Sequence, residues 1–421
     1  MADMTRGAYL RMLSAVYAAM FLIRVAFGIT IVTFAEYLPA GDFVYSLVVS
    51  SSPLLELITV AFAGVVIDRF GRRGVLLTGL GLGAISLYGL ALTQNVILLT
   101  LVNALHGVSA ALILVTTLAV IATFAPPERR GREMGSFNLA NITGWIGGFM
   151  VGFLLLEAFE ENLAYTFVLA GALATFGLLY ANRMLVLPDD GPRRHGRAPD
   201  IKDLLASVGN RRIMLLTLPW LIVFMLVGAF ITFLPRIATS ALDISGGTTA
   251  LGILGVGLIL MTSQYFWGRL ADKHGHAIIM LVGGIGFTLL MAVIMFAYFE
   301  TDSTDSRVIF EDVMAHWVLL SLTLFTALAF APAGLAAIAD EAKEGAQGTT
   351  MSAYSLTLSL GFILGPPALG FVSETFGGTG MVLYFAALAL GLLGLVTTAY
   401  FMTRGGSAEA TPAEALVRGP P

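Results

Sequence analysis

Apolar residues come in blocks along this chain, and most blocks are about twenty residues long, the number of helical residues at 1.5 Å rise that crosses the roughly 30 Å hydrocarbon of a bilayer. Twelve such stretches can be drawn, at 13–35, 44–67, 74–92, 97–124, 134–156, 163–182, 213–235, 248–270, 276–299, 316–339, 350–373 and 380–402. The pattern predicts an all-α polytopic membrane protein rather than a barrel, which would show alternating segments of about ten residues. The longest polar connection, 183–212, splits the spans six and six. The expected domains are therefore an N-terminal bundle at 1–182, a linker at 183–212, a C-terminal bundle at 213–402 and a disordered tail at 403–421. Within the linker, Ile201, Leu204, Leu205 and Val208 fall at i, i+3, i+4 and i+7, an amphipathic helix with Asp200 as its N-cap.

Composition agrees and excludes other classes. Of 421 residues, 57% are hydrophobic and only 12% are charged, against about 25% in a soluble domain. Mean hydropathy is +0.87. A soluble enzyme and a disordered chain are both excluded. The absence of Cys removes disulfides, thiol chemistry and Cys-based metal sites.

Charge sets the expected orientation. With the N-terminus inside, 20 of the 23 basic residues fall in inner segments and two, Arg236 and Arg307, in outer loops. The remaining one, Arg24, lies deep inside a span. This lopsided split predicts a multi-pass plasma (inner) membrane protein with both termini cytoplasmic. Arg6 and Arg11 precede a first span of more than 20 residues with no small-residue cleavage site, so no cleavable signal peptide is expected.

The halves repeat. Gly64-Val-Val-Ile-Asp68-Arg69-Phe-Gly71-Arg72-Arg73 closes span 2, and Gly268-Arg-Leu-Ala-Asp272-Lys-His-Gly-His closes span 8, with the two Asp residues 204 positions apart. Gly144-Trp-Ile-Gly-Gly148 in span 5 pairs with Gly361-Phe-Ile-Leu-Gly365-Pro366 in span 11. Internal six-span repeats mark carriers that rock one half against the other around a midplane site.

The motif at Gly64, Asp68, Arg69, Gly71, Arg72 and Arg73, its echo at Asp272 and the Pro127-Glu-Arg-Arg-Gly131 run resemble the major facilitator superfamily, over about residues 13–402. The resemblance implies twelve helices in two pseudo-symmetric bundles, spans 1, 4, 7 and 10 lining the cavity, and a gating role for the motif. It implies that Asp68 meets the start of span 11, where Gly348, Thr349 and Thr350 offer free N–H groups and a positive dipole end. Asp272 and the start of span 5 (Gly135, Ser136) form the symmetric pair. Asp68→Asn is expected to fold and insert while transport slows. Gly361-x-x-x-Gly365-Pro366 is similar to the glycine-rich helix of the superfamily's drug/proton antiporters, where it belongs to span 5. Span 5 here carries Phe149 at the expected Pro, and span 4 carries Asn103 at an expected Arg.

Arg24 and Glu56 each lie about a dozen residues into adjacent spans. An ionisable side chain at that depth costs at least ~2.5 kcal/mol unless paired or wetted, so an Arg24–Glu56 ion pair is expected. Tyr17, Asn103 and His106 join them in polar stripes facing inward, and Glu36 falls near the outer surface. The alternative for these groups is a static set that fixes helix packing. Spans 7 and 10 offer Trp220, Phe224, Phe230, Phe325 and Phe330 instead, with Pro219 and Pro332 as interruptions. A wall charged on one side and aromatic on the other suits a lipophilic or amphipathic substrate. Gly144, Gly148, Gly361, Gly365 and Pro366 serve close helix packing.

No Walker loop is present, and the five His show no metal-like spacing, so a proton gradient rather than ATP, a metal or another cofactor is the expected driver. The expected partners are a small-molecule substrate and the lipid bilayer, with no nucleic acid and a monomeric carrier. The leading reading is proton-coupled export of a small lipophilic or amphipathic compound. The rivals are a uniporter or symporter of a polar metabolite, organic anion or lipid, and a non-transporting receptor.

Overall fold

The computed structural model describes residues 5–126, 130–187, 211–301, 303, 305–341 and 347–408, apart from the side chains of 68, 130–131, 134–135, 211–216, 240–241, 338–341, 347–355 and 402–408. The amphipathic stretch at 200–208 and the tail from 409 lie outside the described residues, as do Pro127, Glu128 and Arg129.

The described residues form helices and no strands. Span 1 is Arg6–Tyr37, span 2 Asp42–Phe70, span 3 Arg72–Leu90, span 4 Val96–Phe124, span 5 Arg130–Ala158 and span 6 Ala164–Met184. Span 7 is Arg211–Arg236, extended by a π-helical turn at Ile237–Ala241; span 8 is Gly246–His274 and span 9 His276–Glu300. Span 10 comes in two pieces, Trp317–Ala327 and Phe330–Glu341. Spans 11 and 12 lie within Gln347–Ala408, broken at Gly377 (φ 62°, ψ −154°). Among the described residues, eleven helical stretches are long and apolar enough to cross a membrane, and the last, Leu356–Phe401, has 46 residues, enough for two crossings either side of Gly377.

Local chemistry explains the ends. Thr5 caps span 1 by accepting from the Ala8 N–H, and Asn95 caps span 4 by accepting from Ile97 and Leu98. The sequence motif and its echo share one backbone device. Gly71 (φ 77°) ends span 2 and starts span 3, and Gly275 (φ 92°) does the same between spans 8 and 9. Each glycine N–H bonds back to a carbonyl of the preceding helix, Ile67 or Ala271, at 2.9 Å. A positive φ is strained for side chains with a Cβ, so glycine is required at both corners.

Of the two prolines expected as interruptions, Pro332 acts as one: span 10 breaks at Leu328–Ala329, one turn ahead of it, and Pro332 has no N–H to offer the Leu328 carbonyl. Span 7 runs unbroken through Pro219, since one lost backbone bond bends a helix without ending it. The connection between spans 9 and 10 contains a ten-residue helix, Ser306–Ala315, capped by Asp305 accepting from the Arg307 N–H.

Contacts group the chain into two compact units. One lies within Met1–Asp200, Val227–Gly257 and Phe362–Glu374; the other within Ile201–Leu226, Leu258–Gly361 and Thr375–Pro421. In the first unit, span 1 packs chiefly on spans 5 and 6, and span 4 on spans 2 and 3. Gly144, Gly148 and Gly152, one turn apart on span 5, face span 1. A Cβ on Gly144 would stand 2.7 Å from the Phe21 carbonyl and 2.8 Å from Arg24 Cβ, and one on Gly152 would stand 2.9 Å from Val32 Cβ. Gly28 on span 1 meets Gly148 backbone to backbone. Beside this seam Phe27, Ile31, Val32, Phe149, Phe153, Leu156 and Ala238 form an apolar core. In the second unit, span 9 packs on span 10 through Gly283 and Gly286, which meet the backbone at Phe330 and Ala327.

Candidate functional site

The span 1–span 5 seam places the charged centre. Arg24 is buried at 8% exposure, and its Nη2 lies 3.6 Å from Glu56 Oε1. Its Nε donates to Asn141 Oδ1 at 2.9 Å. Asn141 stands one turn before Gly144, so the glycine contact that brings the two backbones together also brings this amide to the guanidinium. The Arg24 guanidinium is 5.8 Å from the Trp145 ring centroid. Trp145 sets its edge against Phe27 at 4.6 Å, and Phe27 stacks on His106 at 5.5 Å. A cation, a carboxylate, an amide, an imidazole and two aromatic rings thus meet from spans 1, 2, 4 and 5.

His106 is fully buried. Its Nδ1 is 3.3 Å from Ser86 Oγ, and Ser86 gives its one proton to the Gly83 carbonyl at 2.8 Å. Nδ1–H therefore donates to Ser86, which leaves Nε2 a bare acceptor. Nε2 has no hydrogen-bond partner among the described residues. Asn103, also buried, turns to span 2, donating to the Val48 carbonyl at 2.9 Å. Toward the opposite end of the seam, the Tyr17 hydroxyl donates to Glu133 Oε2 at 2.6 Å.

A second polar cluster closes the face at which spans 1 and 2 join. Arg236, at the end of span 7, donates from Nη1 to Asp42 Oδ1 at 2.8 Å. It also donates to the carbonyls of Ala40 (2.8 Å), Leu38 (3.1 Å) and Ala35 (3.3 Å). Its guanidinium lies 4.0 Å over the Tyr45 ring, and the Tyr45 hydroxyl donates to the Thr232 carbonyl at 2.8 Å. Ser373 donates to the other Asp42 oxygen at 2.6 Å. The Glu374 carboxylate accepts from the Phe43 N–H at 3.0 Å. Thr239, on the π-helical turn, donates to Glu36, which is exposed on this face.

The remaining sequence candidates fall elsewhere. Trp220 and Phe224 are buried in the second unit, stacked at 5.1 Å, with Trp220 edge-on to Phe330 at 4.9 Å. Gly361 lies against Phe224 with no room for a Cβ. Gly365 and Pro366 lie inside the span 11 helix. In the motif, Gly64 faces open space. Arg72 donates to Thr123 Oγ1 at 3.1 Å and Arg73 to the Asn182 carbonyl at 2.9 Å, tying the corner to spans 4 and 6; Arg69 lies 5.4 Å from the Phe70 ring. The Asp68 side chain is not described, so the expected contact with span 11 lies outside the described residues. The Asp272 side chain is 82% exposed, with its carboxylate 3.9 Å from His276 Nε2.

Asn141, Glu133 and Arg236 were missed by sequence reasoning. For Asn141 and Glu133 the available signal was their spacing, three and eleven residues ahead of Gly144. For Arg236 it was being one of the two basic residues expected in outer loops. Among the described residues no group of three or more His, Asp or Glu could hold a metal.

A helical membrane protein with a buried ion pair among aromatic rings in its first unit has the build of a carrier. The Major Facilitator Superfamily pattern matches residues 13–305 and 258–420, and the chain belongs to that family of transporters; it is not an enzyme. It is 27% identical over 228 residues to the "Multi-drug resistance efflux pump PmrA homolog" of Lactococcus lactis, covering 53% of this chain and 55% of that protein. It is 22% identical over 403 residues to the "Proton-coupled antiporter flippase LtaA" of Staphylococcus haemolyticus, covering 93% and 94%. The chain spans about half the length of the first of these relatives. Among solved structures, a D-xylose-proton symporter superposes with a TM-score of 0.71 at 15% identity, covering 92% of this chain and 97% of that one.

Proposed function

We propose that this transporter exports a small lipophilic or amphipathic compound in exchange for protons, by alternating access, from a plasma (inner) membrane with both termini cytoplasmic. The observation that carries the reading is the pair of the buried Arg24 with the half-buried Glu56, set beside Trp145, Phe27 and His106. A carboxylate beside a cation in a low-dielectric setting has two states, ionised and paired or protonated and released. Switching between them changes how firmly spans 1 and 2 are joined. The rings beside it offer an apolar body for substrate, and the efflux-pump relative lends support. The two six-span halves, 1–182 and 213–402, would rock about this centre as a monomer, joined by 183–212, with no cofactor. In this orientation the Arg236–Asp42 cluster is the outer closure, which must part before substrate can leave.

The test is purified protein in proteoliposomes loaded with a pH-sensitive dye, with ethidium added as the transported probe. Ethidium movement should drive opposite proton movement in wild type, and Glu56→Gln should abolish the proton signal. Intact coupling in Glu56→Gln would remove Glu56 as the carrier. A second reading, symport of an organic anion, is favoured by the buried Arg24 cation. It predicts that an aromatic carboxylate drives protons in its own direction while ethidium drives none.

A further inference from the structure

We infer that Asn103 is a positioning residue: its side-chain amide clamps the break at Pro53 in span 2 and so sets where Glu56 meets Arg24. This rests on the reading of Glu56 as the proton carrier, and the test separates the two.

Pro53 lies inside the helix Asp42–Phe70. It has no N–H for the Val49 carbonyl, and its ring crowds that carbonyl, so the helix bends and an acceptor is released. Within a bilayer no water is at hand to satisfy it. Asn103 Nδ2 reaches into this gap from span 4. It is 2.9 Å from the Val48 carbonyl, 3.4 Å from the Val49 carbonyl and 3.2 Å from Ser51 Oγ, so three acceptors face its two protons. Ser51 Oγ adds a bond to the Val48 carbonyl at 2.7 Å and one to Thr100 on span 4 at 3.2 Å. One turn along span 4, Gly107 lies so close to the Ser52 carbonyl that no Cβ could be added. Span 2 is therefore gripped twice at its break, by an amide just before Pro53 and by backbone contact at Ser52.

Glu56 follows Pro53 by three residues, less than one helical turn. A change in the bend moves its carboxylate directly. Its partner Arg24 is held from the other side by Asn141 and the span 5 glycines. At 3.6 Å the ion pair is longer than the ~2.7–2.9 Å of a close charge-assisted bond. With Arg24 held by span 5, the position of Glu56 sets the pair, and Asn103 holds the element that carries Glu56.

The chain has no Cys, which allows clean spin labelling. Labels at Val44→Cys and Val65→Cys, both exposed, flank the break at about 31 Å along the helix. Asn103→Ala should shift the mean inter-label distance, by about 1 Å for a change of bend of about 30°. In a Pro53→Ala background, where the introduced alanine supplies the missing N–H, Asn103→Ala should add no further shift. In proteoliposomes, Asn103→Ala should lower ethidium-driven proton flux about tenfold or more, as misplacing a reacting group does. Ethidium binding, read by thermal shift, should stay unchanged. An unmoved distance peak, or equal loss of binding and proton flux, overturns the proposal. So does an Asn103→Ala effect that persists undiminished on top of Pro53→Ala. If wild type moves no protons with ethidium, the exchange reading fails, and the label distances still decide the hinge. Should Asn103→Ala not accumulate folded, Asn103→Ser, which keeps one short donor, is read by the same label distances.

Discussion

Arg24 meets a carboxylate, an amide and an aromatic ring at once. It is buried, paired with Glu56, bonded to Asn141 and set over Trp145. Removing one member of a fully buried ion pair costs about 3–5 kcal/mol because the other charge is left without compensation, and Glu56, being half-buried, puts this pair below that range. Arg24→Gln should therefore lower the thermal unfolding temperature in detergent sharply, and Arg24→Gln with Glu56→Gln should lower it by less than the two single changes together. Additive losses would show that the two groups do not interact. Arg24 and Glu56 were legible as site candidates because a charge a dozen residues into an apolar block stands out. Asn141 and Glu133 were not, because uncharged or loop-proximal polar residues are common near the start of span 5, and only packing shows which of them meets a neighbour. Asn103 was legible as polar and inward-facing. Its partner, the broken ladder at Pro53, is a property of another helix.

Among the helices, some glycines meet a neighbouring backbone, some meet a side chain and some have nothing within 4 Å. Gly148 lies against Val25 and Gly28, whereas Gly147, its sequence neighbour, has nothing within 4 Å. Gly148→Val should force spans 1 and 5 apart and cost about 1–3 kcal/mol. Gly147→Ala should be neutral or raise stability by about 0.5–1 kcal/mol, because alanine suits a helix better than glycine. Thermal unfolding of the two variants checks both signs. The sequence showed a glycine cluster in span 5 without showing which members faced span 1, since a helix with about 3.6 residues per turn presents several faces to choose from. The corners at Gly71 and Gly275 were more readable. The repeat 204 residues apart places glycine at both, and both adopt positive φ.

Across the molecule as a whole, the closure built on Arg236 joins span 7 to the turn between spans 1 and 2. It uses one carboxylate, three carbonyls and an aromatic face. Charge-assisted hydrogen bonds of this kind contribute about 1.5–3 kcal/mol each. Arg236→Ala should shift a two-state carrier toward the state open on that face. Thr232, buried beneath Tyr45, gives the readout: maleimide labelling of Thr232→Cys should accelerate roughly tenfold or more in Arg236→Ala, the factor expected for about 1.4 kcal/mol. Unchanged labelling would mean that other contacts hold this face closed.

The class of protein, the twelve crossings, the six-plus-six repeat and the isolation of Arg24 and Glu56 can all be read from the order of residues alone. They follow from transfer free energy into hydrocarbon and from helix rise, which act residue by residue. Folding in three dimensions was needed to show which residues complete the charged centre and that Asn103 serves the Pro53 break. It was needed as well to bury Trp220 and Phe224 against one another and to set Arg236 over the first turn. Those are outcomes of which helix faces meet and at what depth. Apolar stripes in lipid-spanning helices leave that choice nearly open, and it is settled by small residues, released carbonyls and charges that find partners far away along the chain.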